Sequence, residues 1–118
     1  MSTLTVLQVP RRPRSGERGE LDPSTVFFED FEPGRGQMTV VCWGRAWTHY
    51  WGAMGGNPTH DIRSFVLKAW TGYIVGKLMD GAGPILKRAE KREEEWLTDI
   101  VEAIKDELRR TAVAKEPA

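Results

Sequence analysis

The chain has 118 residues, 40% of them hydrophobic and 29% charged, with 17 basic and 17 acidic side chains that cancel to a net charge of zero. That is one domain's length with enough apolar material for a core without staples, and residues 1–118 read as a single domain. Neutrality speaks against a protein whose main task is non-specific nucleic-acid binding, because that affinity comes from Lys and Arg at phosphates.

In chain order, "TLTVLQV" (3–9) alternates weakly and suits a short edge strand. Residues 10–24, "PRRPRSGERGELDPS", hold Pro, Gly, Ser and charge with Leu21 as the apolar exception. Such a segment does not repay its ordering entropy by burial, so it is expected to be a mobile loop or linker. "STVFFEDF" (24–31) is dense in β-branched and aromatic residues and reads as a strand. Pro33-Gly34 and Gly36 supply turn chemistry, "QMTVVCW" (37–43) forms the next strand, and "AWTHYW" (46–51) the third.

Gly44-Arg45 fits a two-residue type II′ hairpin turn. That register sets Cys42 opposite Trp47, Val40 opposite His49 and Met38 opposite Trp51. Met38, Val40, Cys42, Trp47, His49 and Trp51 then share one face, while Thr39, Val41, Trp43, Thr48 and Tyr50 share the other. A rival reading puts residues 43–51 on a helix with three tryptophans aligned, but Gly44, Gly52 and the β-branched run before Cys42 oppose it.

Asn57 as cap and Pro58 as first helical residue predict a helix whose stripe runs Ile62, Phe65, Val66, Ala69, Trp70, Tyr73, Ile74 and Leu78. "DGAG" (80–83) breaks it, and Pro84 opens a second helix over about 84–113, with residues 114–118 as a frayed tail. The predicted fold is α+β: a three- or four-stranded antiparallel meander packed against two α-helices.

The residues offer little catalytic chemistry. His49 and His60 lack the partners of a metal site, and no cofactor motif appears; no metal or cofactor is expected. "GYIVGKL" (72–78) has the wrong glycine spacing for a phosphate loop and lies inside a helical stripe. Cys42 with His49 as base is a conceivable nucleophile pair, but a mid-strand cysteine is more simply a small buried hydrophobe. One cysteine permits no intramolecular disulfide, and neither a signal-peptide pattern nor a membrane-length apolar run is present. The expected setting is cytoplasmic, without a membrane partner. What remains is basic–aromatic interleaving: Trp43, Arg45, Tyr50 and Arg35, the side-chain types that protein hot spots favour. Single-stranded nucleic acid uses similar platforms, and it is the second reading. If the second helix covers the Trp43/Tyr50 face, the alternative surface is its charged stretch around Arg92 and Glu95.

Residues 21–79 resemble small accessory proteins of tailed bacteriophages and prophages. The resemblance is carried by Asp22-Pro23, Glu29-Asp30, Gly34 to Gly36, Gly44, Ala46-Trp47 and Tyr50 to Gly55, followed by a helix ending "YIVGKL". It implies a bacterial cytoplasm, a host protein as partner, and a role as a stoichiometric inhibitor or modulator, for example of a defence system such as CRISPR. The sequence does not set the oligomeric state.

Overall fold

Strand alternation builds the molecule around one sheet with one buried face. The computed structural model describes residues 2–14, 19–54, 61–81 and 87–115, with side chains described from Ala89 to Thr111 in the last span. The chain is α+β. Strands β1 (Thr3–Val9), β4 (Ser24–Glu32), β5 (Arg35–Cys42) and β6 (Arg45–Trp51) form an antiparallel sheet in the order β1-β4-β5-β6. Two-residue strands β2 (Arg12–Pro13) and β3 (Glu20–Leu21) make a separate small ladder. Helices α1 (Ile62–Lys68), α2 (Thr71–Gly81) and α3 (Lys87–Lys115) follow.

The expected faces are the observed ones, although the hairpin register is different. Val40 pairs with Trp47, Met38 with His49 and Cys42 with Arg45, so the turn is Trp43-Gly44. Its φ angles, 52° at Trp43 and 79° at Gly44, are both positive, as a type I′ turn requires. Moving the turn by one residue changes the pairing by two and leaves the strand side chains on their faces, while Trp43, expected on the open face, becomes a turn residue. The hydrophobic pattern therefore could not choose between the two registers.

The buried face carries Val26 and Phe28 from β4, Met38, Val40 and Cys42 from β5, and Trp47 and Trp51 from β6. Leu97, Ile100, Val101 and Ile104 of α3 and Ile62, Val66, Ile74 and Leu78 of the shorter helices join the same cluster. Trp47 meets Trp96 edge-on, with ring centroids 5.0 Å apart, a favoured aromatic geometry.

Segment 10–24, expected to be a linker, is tied down where it is described. Leu21 is buried, Arg12 binds Asp106 and Arg14 binds Asp99, each at 2.8 Å. Ion pairs to α3 supply the ordering that apolar composition lacked.

The single helix expected from Pro58 onward, with its stripe from Ile62 to Leu78, is instead two over the described residues. α1 starts at Asp61, whose carboxylate accepts from the Ser64 N–H, and the Ile62 N–H donates to Asp30 Oδ1 of β4. Ala69 is extended at ψ 155°. Its carbonyl, which a continuous helix would engage four residues on, accepts from Lys105 Nζ of α3. Thr71 then donates to Glu102. The break is thus a tertiary event that local periodicity does not carry, and it leaves Trp70 on the surface. The expected cap at Asn57-Pro58 and the start at Pro84 lie outside the described residues. α3 extends through Lys115, and residues 116–118 of the expected frayed tail lie outside the described residues.

α2 also closes one edge of the sheet. Its last residue, Gly81, lies so near β6 that a Cβ there would run into the Thr48 carbonyl oxygen. Trp51 Nε1 donates to Tyr73 Oη at 3.1 Å alongside it.

Trp47 is fully buried, yet its Nε1 has no hydrogen-bond partner among the described residues. Trp47→Ala should therefore cost ~3–5 kcal/mol in denaturant unfolding, the range for deleting a core aromatic. Trp47→Phe should cost much less, because it keeps most of the ring and removes an unsatisfied donor.

Candidate functional site

Helices cover one face of the sheet and leave the other open. Strand parity places Leu4, Val6 and Gln8 of β1 on the open side, next to Thr25, Phe27 and Glu29 of β4. Gln37, Thr39 and Val41 of β5 continue it, followed by Ala46, Thr48 and Tyr50 of β6. Its apolar part sits towards β1, with Leu4 60% and Val6 48% exposed beside Phe27. Hydroxyl contacts knit the middle: Thr39 Oγ1 to Thr48 Oγ1 and Thr25 Oγ1 to Gln8 Oε1, both 3.0 Å. Such short cross-strand polar pairs stabilise a wet face.

The residues singled out from sequence do not form one cluster. Trp43 is 82% exposed at the tip of the β5–β6 turn. Tyr50 is 47% exposed on the open face, six residues from that tip by register, and it packs on Phe31 with centroids 5.8 Å apart. At about 3.4 Å per strand residue, Trp43 and Tyr50 are roughly 20 Å apart. Arg35 lies at Tyr50's end of β5 and pairs with Glu32 at 3.4 Å across the Pro33-Gly34 turn. The covering of this face by Trp96, Leu97 and Ile100 does not occur, since those residues pack on the Trp47 side. Arg92 is exposed on α3, and Glu95 is partly buried.

Arg45 departs most from expectation. It is the first residue of β6, on the buried face, with its guanidinium carbon 5.9 Å from the Trp47 ring centroid and an ion pair to Glu93 of α3. The hydrophilic stretch at the start of α3 is thus anchored through one inward carboxylate, Glu93, whose side chain is only 11% exposed. Four buried side-chain polar atoms lack a partner among the described residues: Arg45 Nε, Glu93 Oε2, Trp47 Nε1 and Ser24 Oγ. All lie at this end of the structure, Ser24 and Arg45 flanking Cys42 across the strands. Sequence reasoning missed Glu93, which sits in a run of like residues with no signal to separate it.

Cys42 and His49 do not make a dyad. Cys42 pairs with Arg45 and His49 with Met38, four residues further along β6 and roughly 13 Å away. The Cys42 thiol approaches the Asp22 and Pro23 carbonyls, each at 3.7 Å, and burial, then Asp22, push its pKa up. It is therefore a thiol, not a thiolate. His49 stacks edge-on with Trp51 at 4.5 Å, and burial, with Lys77 adding to it, lowers its pKa. Among the described residues no three His, Cys, Asp or Glu converge as metal ligands, and no helix is long and apolar enough to cross a membrane.

The Arg45–Glu93 pair gives a direct test of this geometry. Arg45→Met should cost about 1–3 kcal/mol, because it strands a largely buried carboxylate. The double replacement Arg45→Met/Glu93→Met should recover most of that loss in the same chemical denaturation assay.

No curated protein and no solved structure matches the chain. A family model does: it matches residues 8–84, about two thirds of the sequence, from the last residues of β1 through the β4–β5–β6 meander and both short helices. The chain belongs to that family, Phage_phiTE_072, a phage family.

Proposed function

We propose that the protein works by binding rather than by catalysis, as a phage accessory protein that holds a host protein and inhibits or modulates it stoichiometrically. The observation that carries this reading is Trp43. A tryptophan in the left-handed region costs about 1–3 kcal/mol, a strain that recurs at functional sites. The side chain returns nothing to the fold for that cost, since it stands 82% exposed. Asn would suit this turn position better on local grounds. A large aromatic kept at a strained, solvent-facing tip is what a contact anchor requires. The open face behind it, with Leu4, Val6, Phe27 and Tyr50, offers adjoining apolar and amphipathic area.

Charge supports the protein partner over nucleic acid. Arg11, Arg12, Arg14, Arg35 and Arg45 all face carboxylates within the chain, at Glu20 and Asp22, Asp106, Asp99, Glu32 and Glu93 respectively. The neighbouring carboxylates offset the positive potential that phosphate binding draws on, most firmly at the shielded Arg14–Asp99 pair and more weakly at the exposed ones. A defence system such as CRISPR is one host target that suits a phage protein of this kind, by analogy of context.

Trp43→Asn should fold with a melting temperature equal to or above the parent's, and Tyr50→Ala should fold with little change. Trp43→Asn should weaken capture of the bacterial partner at least about tenfold, ~1.4 kcal/mol, in quantitative pull-downs with and without nuclease. Capture that is unaffected by Trp43→Asn contradicts the anchor, and capture abolished by nuclease favours nucleic acid instead.

A further inference from the structure

The two edges of the sheet are treated differently. α2 lies along β6, with Gly81 against the Thr48 carbonyl, so that edge is closed to strand addition. β1 is the terminal strand at the other side, and no described strand pairs with its outer edge. It runs seven residues in unbroken register with β4, from Thr3 opposite Asp30 to Val9 opposite Ser24, without a bulge. Its sequence, "TLTVLQV", has no charge, no proline and no glycine. Charge, proline and a bulge, devices by which proteins blunt a sheet edge, are therefore missing from β1. The side chains next to that edge on the open face, Leu4 and Val6, are both exposed.

We infer that β1 is a self-association edge, on which a second copy of this chain adds its own β1 in antiparallel register to form a two-fold symmetric dimer with a continuous eight-stranded sheet. Three features favour a second copy over a foreign strand. First, the strand is self-complementary. A two-fold axis through Val6, the middle of Thr3–Val9, pairs all seven residues: Val6 with Val6, Thr5 with Leu7, Leu4 with Gln8 and Thr3 with Val9. Even-numbered residues meet even ones, so the buried and open faces of the two sheets run on without interruption. Second, nothing repels. The paired strands carry no charge and the whole chain is neutral, which removes the like-charge term that keeps monomers apart. Third, the assembly closes. With β6 blocked by α2, β1 against β1 is the one strand addition that the described four-stranded sheet leaves open to identical copies, and it uses up that edge on both. A naked edge is tolerable if it leads to a dimer and hazardous if it leads to a fibre. An edge-to-edge ladder with few flanking contacts is a small interface, so monomer and dimer should exchange at micromolar concentration.

The test of this inference is separate from that of the host-protein reading, since the anchor Trp43 lies in the β5–β6 turn and the Val6 variants leave it untouched, although Leu4 and Val6 border both surfaces. Sedimentation velocity across the micromolar range tests it. The parent should shift with concentration from 13.4 kDa towards twice that mass. Val6→Lys and Val6→Glu each set like charges face to face at the axis and should sediment as folded monomers, with dimerisation weakened at least about tenfold. Mixed in equal amounts, they should recover a heterodimer as the opposite charges meet. A parent that stays at 13.4 kDa overturns the inference, including the case in which β1 takes up only a foreign strand. So does a dimer that Val6→Lys leaves intact, and so does failure of the mixture to associate. A general loss of fold would not be repaired by mixing, so recovery separates a disrupted interface from a disrupted monomer.

Discussion

The structure depends on the burial of a single sheet face beneath α3. Trp47, opposite Val40 and edge-on to Trp96, sits at the centre of that contact. Four strands with period-two alternation have one apolar side to hide, and a long helix with a narrow apolar stripe can hide it. Once Leu97, Ile100 and Ile104 lie on the Met38, Val40 and Trp47 side, the opposite face has no helix left to cover it. The open surface is a consequence of the core. It follows from having all three described helices on one side.

Polar contacts then decide how α3 relates to everything else. Its middle and end gather Arg14 and Arg12 from the N-terminal segment, and Lys105 holds the Ala69 carbonyl at the break between α1 and α2. Its start is held through Arg45 and Glu93. These contacts differ in weight. The Arg14–Asp99 pair is mostly shielded from water, whereas Arg12–Asp106 is half exposed and correspondingly weak. The Arg45–Glu93 junction leaves buried polar atoms without a partner among the described residues, so it serves more to fix position than to add stability.

The β5–β6 hairpin joins the core to the surface. Trp47 and Trp51 point into the cluster, while Trp43 stands at the tip in a left-handed conformation and Tyr50 lies on the open side. One short segment thus spends two tryptophans on packing and one on solvent. Packing explains the first two, and nothing in the fold explains the third. That contrast within a single hairpin separates residues that serve stability from those that serve contact.

Sequence alone carried the three meander strands, 3–9 as a candidate fourth, and which of their side chains share a face, because alternation at period two leaves no freedom once one face is apolar; it did not carry the two-residue strands β2 and β3. It also carried the phage resemblance, which the family match to residues 8–84 supports. It did not determine the hairpin register, since both candidate turns keep the same faces, nor the position of Arg45 beneath α3. The break at Ala69, the ordering of Arg12 and Arg14, and the inward turn of Glu93 were likewise decided by tertiary structure. Each depends on a partner more than twenty residues away in the chain, and a local window contains no trace of such a partner. The open face has the same origin: which side of an amphipathic sheet is apolar is written in the strands, but whether the other side meets water depends on where the helices come to rest.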